Sequence, residues 1–243
     1  MVTVVTSARP PLATQTQERR HTPRIAPLGA EVGLAPARST SLEELKARPR
    51  RTGEASFFYF DQHFQYNAVK VLPGEYFVAS EQLMIVTVLG SCIAACLWDS
   101  RTHVGGMNHF MLPEGGEADN SGRYGSYAME VLINELMKLG ARRETLQAKI
   151  FGGGQVMANF ATMNVGERNA LFVRKYLATE RIPLVSEDVL DIYPRKVVYF
   201  PVTGKAMVKR LAHAHPDVLV QEKTRGSAAV VAKENRGGSV DLF

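Results

Sequence analysis

Cys92 and His109 are the two side chains of this sequence whose types and spacing best suit nucleophilic chemistry. Cys92 directly follows the turn-forming pair Gly90-Ser91, and His109 lies seventeen residues further along the chain. A thiolate attacks carbonyl carbon, and a nearby imidazole can take the thiol proton and later protonate a leaving amine. A glycine turn before the cysteine also lets backbone N–H groups face a developing oxyanion. The pair therefore indicates acyl-transfer chemistry, although a single cysteine is more often a buried core residue.

Predicted strands are the elements that must position this pair. Residues 83–88, 92–98 and 104–112 are apolar and rich in β-branched or small side chains, which is typical of buried strands. If the second and third of these strands pair antiparallel, their far ends meet. That pairing would bring His109 beside Cys92.

The remaining pattern interleaves further strands with helices. Strands are predicted at residues 76–78, 147–151, 184–189, 196–201 and 205–211, the last two forming a hairpin across Thr203-Gly204. Apolar residues at helical spacing predict helices over 123–139 and 167–180, and residues 41–47 suit a short helix. We therefore expect an α/β fold, a single-domain sandwich of mixed β-sheet and helices over residues 55–211.

The two ends of the chain differ in composition from its centre. Residues 1–52 hold six of the twelve prolines, no Phe, Trp or Tyr, and nine Lys or Arg against four Asp or Glu. This predicts a disordered basic tail, and we expect a weakly ordered C-terminal tail over residues 212–243. The net charge of +5 on the first tail equals that of the whole chain, so the remainder is neutral. A neutral remainder argues against nucleic-acid binding.

The composition also bounds the location of the protein. No apolar run approaches the roughly 20 residues that span a bilayer, and residues 1–9 lack the apolar region of a signal peptide. Two cysteines within five residues suit a reducing compartment better than a disulfide scaffold. We expect a soluble cytoplasmic protein without membrane insertion, and a monomer by default.

Cys96 and the glycine run after residue 151 admit more than one interpretation. Cys96 shares a strand face with Cys92 but lies about 13 Å from it at roughly 3.3 Å per residue, so we expect a core residue. A zinc site of Cys92, Cys96, His103 and His109 is an alternative that this separation disfavours. The run Gly152-Gly153-Gly154 lacks the spacing of a dinucleotide fingerprint and suits close backbone approach to the catalytic segment or to substrate.

Five segments together carry a family resemblance. They are TVLGSCIAACL (87–97), GMNHFMLP (106–113), RYG (123–125), AKIFGGG (148–154) and NVGERN (164–169). In this order and separation they resemble the CheD family of chemoreceptor glutamine deamidases, over roughly residues 75–210. The resemblance implies an enzyme that converts glutamine side chains on the cytoplasmic domains of chemotaxis receptors to glutamate, with release of ammonia and without a cofactor or metal ion.

The resemblance also implies roles for individual residues. Cys92 would be the nucleophile, His109 the general base, and Thr87 the residue that orients the imidazole. Some family members carry this threonine one residue further from the cysteine, where this chain has Val86. The family also implies a possible partner, the CheC-type phosphatase.

Four further residues are candidates for contacts to the substrate or the oxyanion: Ser91, Asn108, Gly153 and Arg168. Ser91 lacks the Gly-x-Ser-x-Gly context of a serine nucleophile. Arg168 and Asn169 open the second predicted helix, where they either cap and solvate it or contact substrate.

Two other functions compete with the deamidase. One is an adaptor that binds receptors or the CheC-type phosphatase without catalysis, and the other is a cysteine hydrolase acting on a different amide. The Cys92–His109 pair favours an enzyme, because an adaptor has no physical need for it.

Overall fold

The computed structural model describes residues 40–113, 124–155 and 165–211. The predicted C-terminal tail and the first 39 residues of the predicted N-terminal tail lie outside the described residues. The strands are Phe57–Asp61 (β1), Tyr66–Lys70 (β2), Tyr76–Ala79 (β3), Met84–Leu89 (β4), Ile93–Asp99 (β5), Val104–Asn108 (β6), Leu146–Gly152 (β7), Leu184–Val189 (β8), Arg195–Phe200 (β9) and Lys205–Arg210 (β10). The helices are Leu42–Ala47 (α1), Gly125–Lys138 (α2) and Val165–Thr179 (α3).

The strands form two five-stranded mixed sheets. Sheet 1 has the order β1-β2-β4-β9-β10, and sheet 2 has the order β3-β6-β5-β7-β8. One pair in each sheet is parallel, β2 with β4 and β7 with β8, and the other pairs are antiparallel. The predicted α/β class with mixed β-sheet is confirmed, and the sandwich contains two sheets.

Apolar side chains fill two layers, one on each face of sheet 2. Ile93, Ala95 and Leu97 of β5 pack with buried residues of α2 and α3. Ala94 and Cys96 point the other way, into a cluster shared with sheet 1. Because both faces of β5 are covered, its sequence is almost continuously apolar rather than alternating.

The helices begin and end near the predicted positions. In α2, Ala128, Leu132 and Leu136 recur on the buried face, and Gly140 beyond the helix end has a φ of +94°. Helix α3 begins at Val165, two residues before its predicted start. No helix in the described part of the chain is long and apolar enough to cross a membrane.

Residues 40–54 belong to the folded unit, which corrects the predicted start of order near Ala55. Ser41 and Glu44 form a reciprocal capping box at the start of the predicted helix α1. Leu45 is buried in the layer between the sheets, and the Arg50 guanidinium lies 4.4 Å from the centre of the Phe58 ring. One buried leucine and a cation–π contact therefore anchor a segment whose composition predicted disorder.

Candidate active site

Cys92 lies where the chain passes from one sheet to the other. Strand β4 of sheet 1 ends at Leu89, the bend Gly90-Ser91-Cys92 follows, and β5 of sheet 2 begins at Ile93. The Cys92 side chain is buried between the sheets, on the same side as Ala94 and Cys96. The thiol is thus held at the end of a strand, in a turn three residues long.

The predicted antiparallel pairing of β5 with β6 is present and brings His109 to this turn. Ile93 and Phe110 exchange both backbone hydrogen bonds, at 3.1 and 3.0 Å, and Cys96 pairs with Met107. In this register Cys92 and His109 are diagonal neighbours on one face of the sheet. Both are almost fully buried, at 2% and 1% exposure.

The backbone of His109 is fixed by the segment before β3. The His109 N–H donates to the Glu75 carbonyl at 2.9 Å, and the Gly74 N–H donates to the His109 carbonyl at 2.7 Å. Both bonds lie just beyond the end of β6. The imidazole therefore extends from a backbone held on two sides, which limits its motion relative to Cys92.

Thr87 connects the imidazole to sheet 1. Its Oγ1 lies 2.7 Å from the Val71 carbonyl oxygen and 2.9 Å from His109 Nδ1. A carbonyl oxygen only accepts, so the single hydroxyl proton of Thr87 is donated to Val71. Thr87 Oγ1 must then accept a hydrogen bond from Nδ1–H. This assigns the tautomer of the neutral ring from its hydrogen-bond partners, with the proton on Nδ1. In that tautomer Nε2 carries the lone pair of the neutral ring and can act as a base.

The predicted glycine run packs directly on the nucleophile turn. The Gly153 N–H donates to the Cys92 carbonyl and the Gly154 N–H donates to the Gly90 carbonyl, each at 2.8 Å. Gly152 has a φ of +111°, and a Cβ there would lie 2.2 Å from the Cys92 carbonyl oxygen. The Gly153 N–H therefore supports the nucleophile turn, which agrees with one of the two roles considered for the glycine run, close approach to the catalytic segment.

The connection between β8 and β9 contains two residues with strained backbones and is hydrogen-bonded to the glycine run. Leu190 and Asp191 both have positive φ, 67° and 66°. The Leu190 N–H donates to the Gly152 carbonyl and the Asp191 carbonyl accepts from the Gln155 N–H, each at 2.8 Å. The fully buried Arg195, which follows this connection, forms an ion pair at 2.9 Å with Asp188, which precedes it. Two non-glycine residues at positive φ cost on the order of 1–3 kcal/mol each, and such strain clusters at functional sites.

Asn108, considered from the sequence for a substrate or oxyanion contact, is hydrogen-bonded within the framework of the fold. Its Oδ1 accepts the Ala95 N–H at 3.0 Å, and its Nδ2 donates to the Ala128 carbonyl at 3.1 Å. The side chain is 1% exposed and ties β6 to β5 and α2. Both ends of the carboxamide are thus committed within the protein.

The other predicted contact residues lie on the edge of the site. Ser91 is half-buried in the nucleophile turn, and Arg168 is exposed on α3. Asn169, next to Arg168, is fully buried and its Nδ2 contacts the Ser91 carbonyl. Since α3 begins at Val165, Asn169 is not a helix cap. The NVGERN segment is the signal in the sequence that marks this residue.

Cys96 is a core residue, as its spacing from Cys92 predicted. Burial raises the pKa of its thiol well above the ordinary range. The neighbouring Tyr199 hydroxyl donates to the Leu97 carbonyl at 2.8 Å, and burial raises its pKa as well. His103 Nδ1 contacts the Val202 carbonyl at 3.0 Å. Among residues 40–113, 124–155 and 165–211, no group of three or more metal-binding side chains comes together.

A buried thiol, an imidazole on the adjacent strand and a hydroxyl bonded to that imidazole are the parts that a cysteine hydrolase requires. A family profile described as "CheD chemotactic sensory transduction" matches residues 111–210. A protein of Albidiferax ferrireducens named "Probable chemoreceptor glutamine deamidase CheD 1" is 68% identical over 210 residues, which is 86% of this chain and 90% of that protein.

The names of two further relatives also describe a probable chemoreceptor glutamine deamidase. The "Probable chemoreceptor glutamine deamidase CheD" of Methylobacillus flagellatus is 52% identical over 81% of this chain and 100% of its own length. The "Probable chemoreceptor glutamine deamidase CheD 1" of Dechloromonas aromatica is 54% identical over 76% of this chain and 93% of its own length. This chain belongs to the CheD family.

Proposed function

We propose that this chain is a protein-glutamine deamidase that converts glutamine side chains of chemotaxis receptors to glutamate and releases ammonia. The names of its relatives support the reaction class and the substrate. The observation that carries the proposal is the 2.9 Å contact of Thr87 Oγ1 with His109 Nδ1, which leaves Nε2 as the basic nitrogen of the ring. An adaptor protein would have no use for a tautomer fixed beside a buried thiol.

The first half of the reaction forms a thioester. Nε2 of His109 takes the Cys92 thiol proton, and the sulfur attacks the carboxamide carbon of the glutamine. Backbone N–H groups of the nucleophile turn, that of Cys92 among them, would hold the resulting oxyanion; one such donor is worth about 10²–10³ in rate in other enzymes. The imidazolium then gives its proton to the departing nitrogen, the C–N bond breaks, and ammonia leaves.

The second half regenerates the enzyme. Nε2 accepts a proton from water, whose oxygen attacks the thioester carbon. The C–S bond breaks, the imidazolium returns its proton to the Cys92 sulfur, and the receptor carries glutamate. Water and glutamine are the only reactants consumed, so the cycle requires no cofactor. Throughout the cycle Thr87 Oγ1 accepts a hydrogen bond from Nδ1–H, and this contact keeps the ring in one orientation.

The proposal extends to location and partners. The substrates would be receptor cytoplasmic domains, so the protein would act in the cytoplasm, with a monomer as the default oligomeric state. A CheC-type phosphatase would be a protein partner. The relatives' names support the receptor substrate, and the family resemblance supports the phosphatase partner.

Ammonia release distinguishes the enzyme from an adaptor. The full chain and its His109→Gln variant would be incubated with a purified receptor cytoplasmic domain, and ammonia and complex formation would be measured in the same samples. The deamidase predicts ammonia release that stops with the variant while binding persists. Stable binding without ammonia release from the unmodified chain would instead support the adaptor.

A further inference from the structure

Asn169 joins the two segments that carry the proposed nucleophile and base. It lies in the second turn of α3 and is fully buried. Its Nδ2 donates to the Ser91 carbonyl at 3.2 Å and to the Met111 carbonyl at 2.9 Å. Ser91 immediately precedes Cys92, and Met111 follows His109 by two residues. One carboxamide therefore reaches both sides of the site.

These two contacts fix which way the carboxamide points. Both acceptors are backbone carbonyl oxygens, which cannot donate, so each requires one of the two Nδ2 hydrogens. Turning the amide over would place Oδ1 against two other oxygens. The two partners therefore determine the orientation of the Asn169 carboxamide. They also fix the position of Oδ1, because Oδ1 and Nδ2 are bonded to the same carbon.

Asn169 Oδ1 is a buried acceptor that has no hydrogen-bond partner among the residues that the structure describes. Buried polar atoms in native proteins nearly always have one, and an exception calls for a physical reason. Asn108 provides the comparison within the same site, because its Oδ1 and Nδ2 are both bonded. The open acceptor is therefore particular to Asn169 and is not a general feature of buried asparagines here.

A glutamine substrate brings the donor that this acceptor lacks. The carboxamide nitrogen carries two hydrogens and is the group that leaves in the proposed reaction. Glutamate offers only acceptors at neutral pH, and a glutamyl methyl ester has the same acyl group without an N–H. An acceptor beside the nucleophile turn would therefore favour the amide over both.

We propose that Asn169 Oδ1 accepts an N–H hydrogen bond from the side-chain carboxamide of the substrate, which makes Asn169 a specificity-determining residue. This rests on the proposed deamidase function. The same oxygen repels the carboxylate of the product and so favours product release. The two Nδ2 bonds hold the acceptor in place for this contact.

The first test compares two reactions that would pass through the same thioester with Cys92: hydrolysis of the glutamines of one receptor domain, and hydrolysis of the corresponding glutamyl methyl esters. Asn169→Leu removes the acceptor and keeps a side chain branched at Cγ. Asn169→Ala serves if the leucine variant does not fold, and the exposed Lys175→Ala on α3 is the control. In Asn169→Leu and Asn169→Ala, the rate of deamidation should fall about tenfold further than the rate of ester hydrolysis, the size of one neutral hydrogen bond in a buried site. Asn169→Asp keeps an oxygen acceptor while losing the Nδ2 donors, so both rates should fall with their ratio retained. Equal losses in both reactions for Asn169→Leu would reduce Asn169 to a positioning residue and overturn the proposal.

The second test does not depend on any receptor. Alkylation of Cys92 by iodoacetamide and by iodoacetate is followed by peptide mass spectrometry, with unfolded chain as the reference for intrinsic reactivity. The folded chain should prefer the amide reagent over the acid more strongly than the unfolded chain, and Asn169→Leu should lose most of that preference. If no receptor glutamine is converted but this preference is present, the proposed function fails and the carboxamide site stands. An unchanged preference in the variant, or no alkylation by either reagent, would overturn the site itself.

Discussion

Replacing Thr87 by valine isolates the contact that orients the proposed base. Valine has the shape of threonine but no hydroxyl, so the variant loses the bonds to the Val71 carbonyl and to His109 Nδ1. Each neutral hydrogen bond contributes about 1 kcal/mol net, and both partners are left in the buried layer between the sheets. We therefore expect the free energy of unfolding to fall by about 2 kcal/mol, or roughly 4–8 °C in Tm.

The effect on catalysis should exceed the effect on folding. Without the Thr87 acceptor, His109 is no longer held with its proton on Nδ1, so a fraction of the rings presents Nε2–H to the thiol and cannot take its proton. General acid–base catalysis contributes typically 10²–10⁴ in rate, so kcat should fall about a hundredfold. KM should change little, because Thr87 is buried beneath the imidazole and is not exposed to substrate.

Steady-state ammonia release with a receptor domain measures this effect, and Thr87→Ser is the matched control. Serine keeps the hydroxyl and loses only a methyl group, so it should retain kcat within about fivefold at a small cost in stability. If Thr87→Val kept the kcat of the unmodified chain while folding normally, the assignment of the tautomer would be refuted.

Three further changes give distinct outcomes. Gly152→Ala should lower the free energy of unfolding by about 3 kcal/mol and remove most of the activity, because its Cβ would lie 2.2 Å from the Cys92 carbonyl oxygen. Gly140→Ala is the control, because Gly140 has a similar φ but a Cβ there would have nothing within 4 Å, so thermal unfolding should show a much smaller loss of stability. Burial acts to raise the pKa of Asp99, but backbone N–H and threonine hydroxyl donors outweigh it and lower the pKa to about 2. The contribution of the ionised Asp99 to stability is therefore fully present above pH 4 and is lost as the pH falls towards 2. Asp99→Asn should lower the free energy of unfolding by about 2 kcal/mol at pH 7 and flatten this part of the acid-unfolding curve. Cys96→Ala should lower Tm by a few degrees through a small cavity and leave ammonia release unchanged.

The sequence predicts most individual elements, because buried strands and amphipathic helices have clear local patterns. It does not predict that Phe57–Asp61 and Tyr66–Lys70 pair as a hairpin, since the aromatic run lacks strict alternation and the turn holds no Asn-Gly or Asp-Gly pair. Asp61 instead accepts the His63 and Phe64 N–H groups, and Gln65 takes a φ of +56°. The division into two sheets depends on long-range pairing that no local pattern contains.

The site divides in a similar way. The approach of His109 to Cys92 follows from the antiparallel pairing of two adjacent strands, which the spacing already suggests. The family resemblance points to Thr87, but only the structure provides its two partners. The roles of Asn108 and Asn169 cannot be separated by residue type, because what distinguishes them is whether Oδ1 has a partner once the chain is folded.

Peptide mass spectrometry of a receptor cytoplasmic domain, after incubation with the Cys92→Ala and Cys96→Ala variants beside the unmodified chain, tests the central claim most directly. Both variants lose one buried thiol from the same strand face, so each serves as the structural control for the other. The account predicts conversion of specific glutamines to glutamate by the unmodified chain and by Cys96→Ala, and none by Cys92→Ala. Conversion by a folded Cys92→Ala protein would contradict the proposed nucleophile.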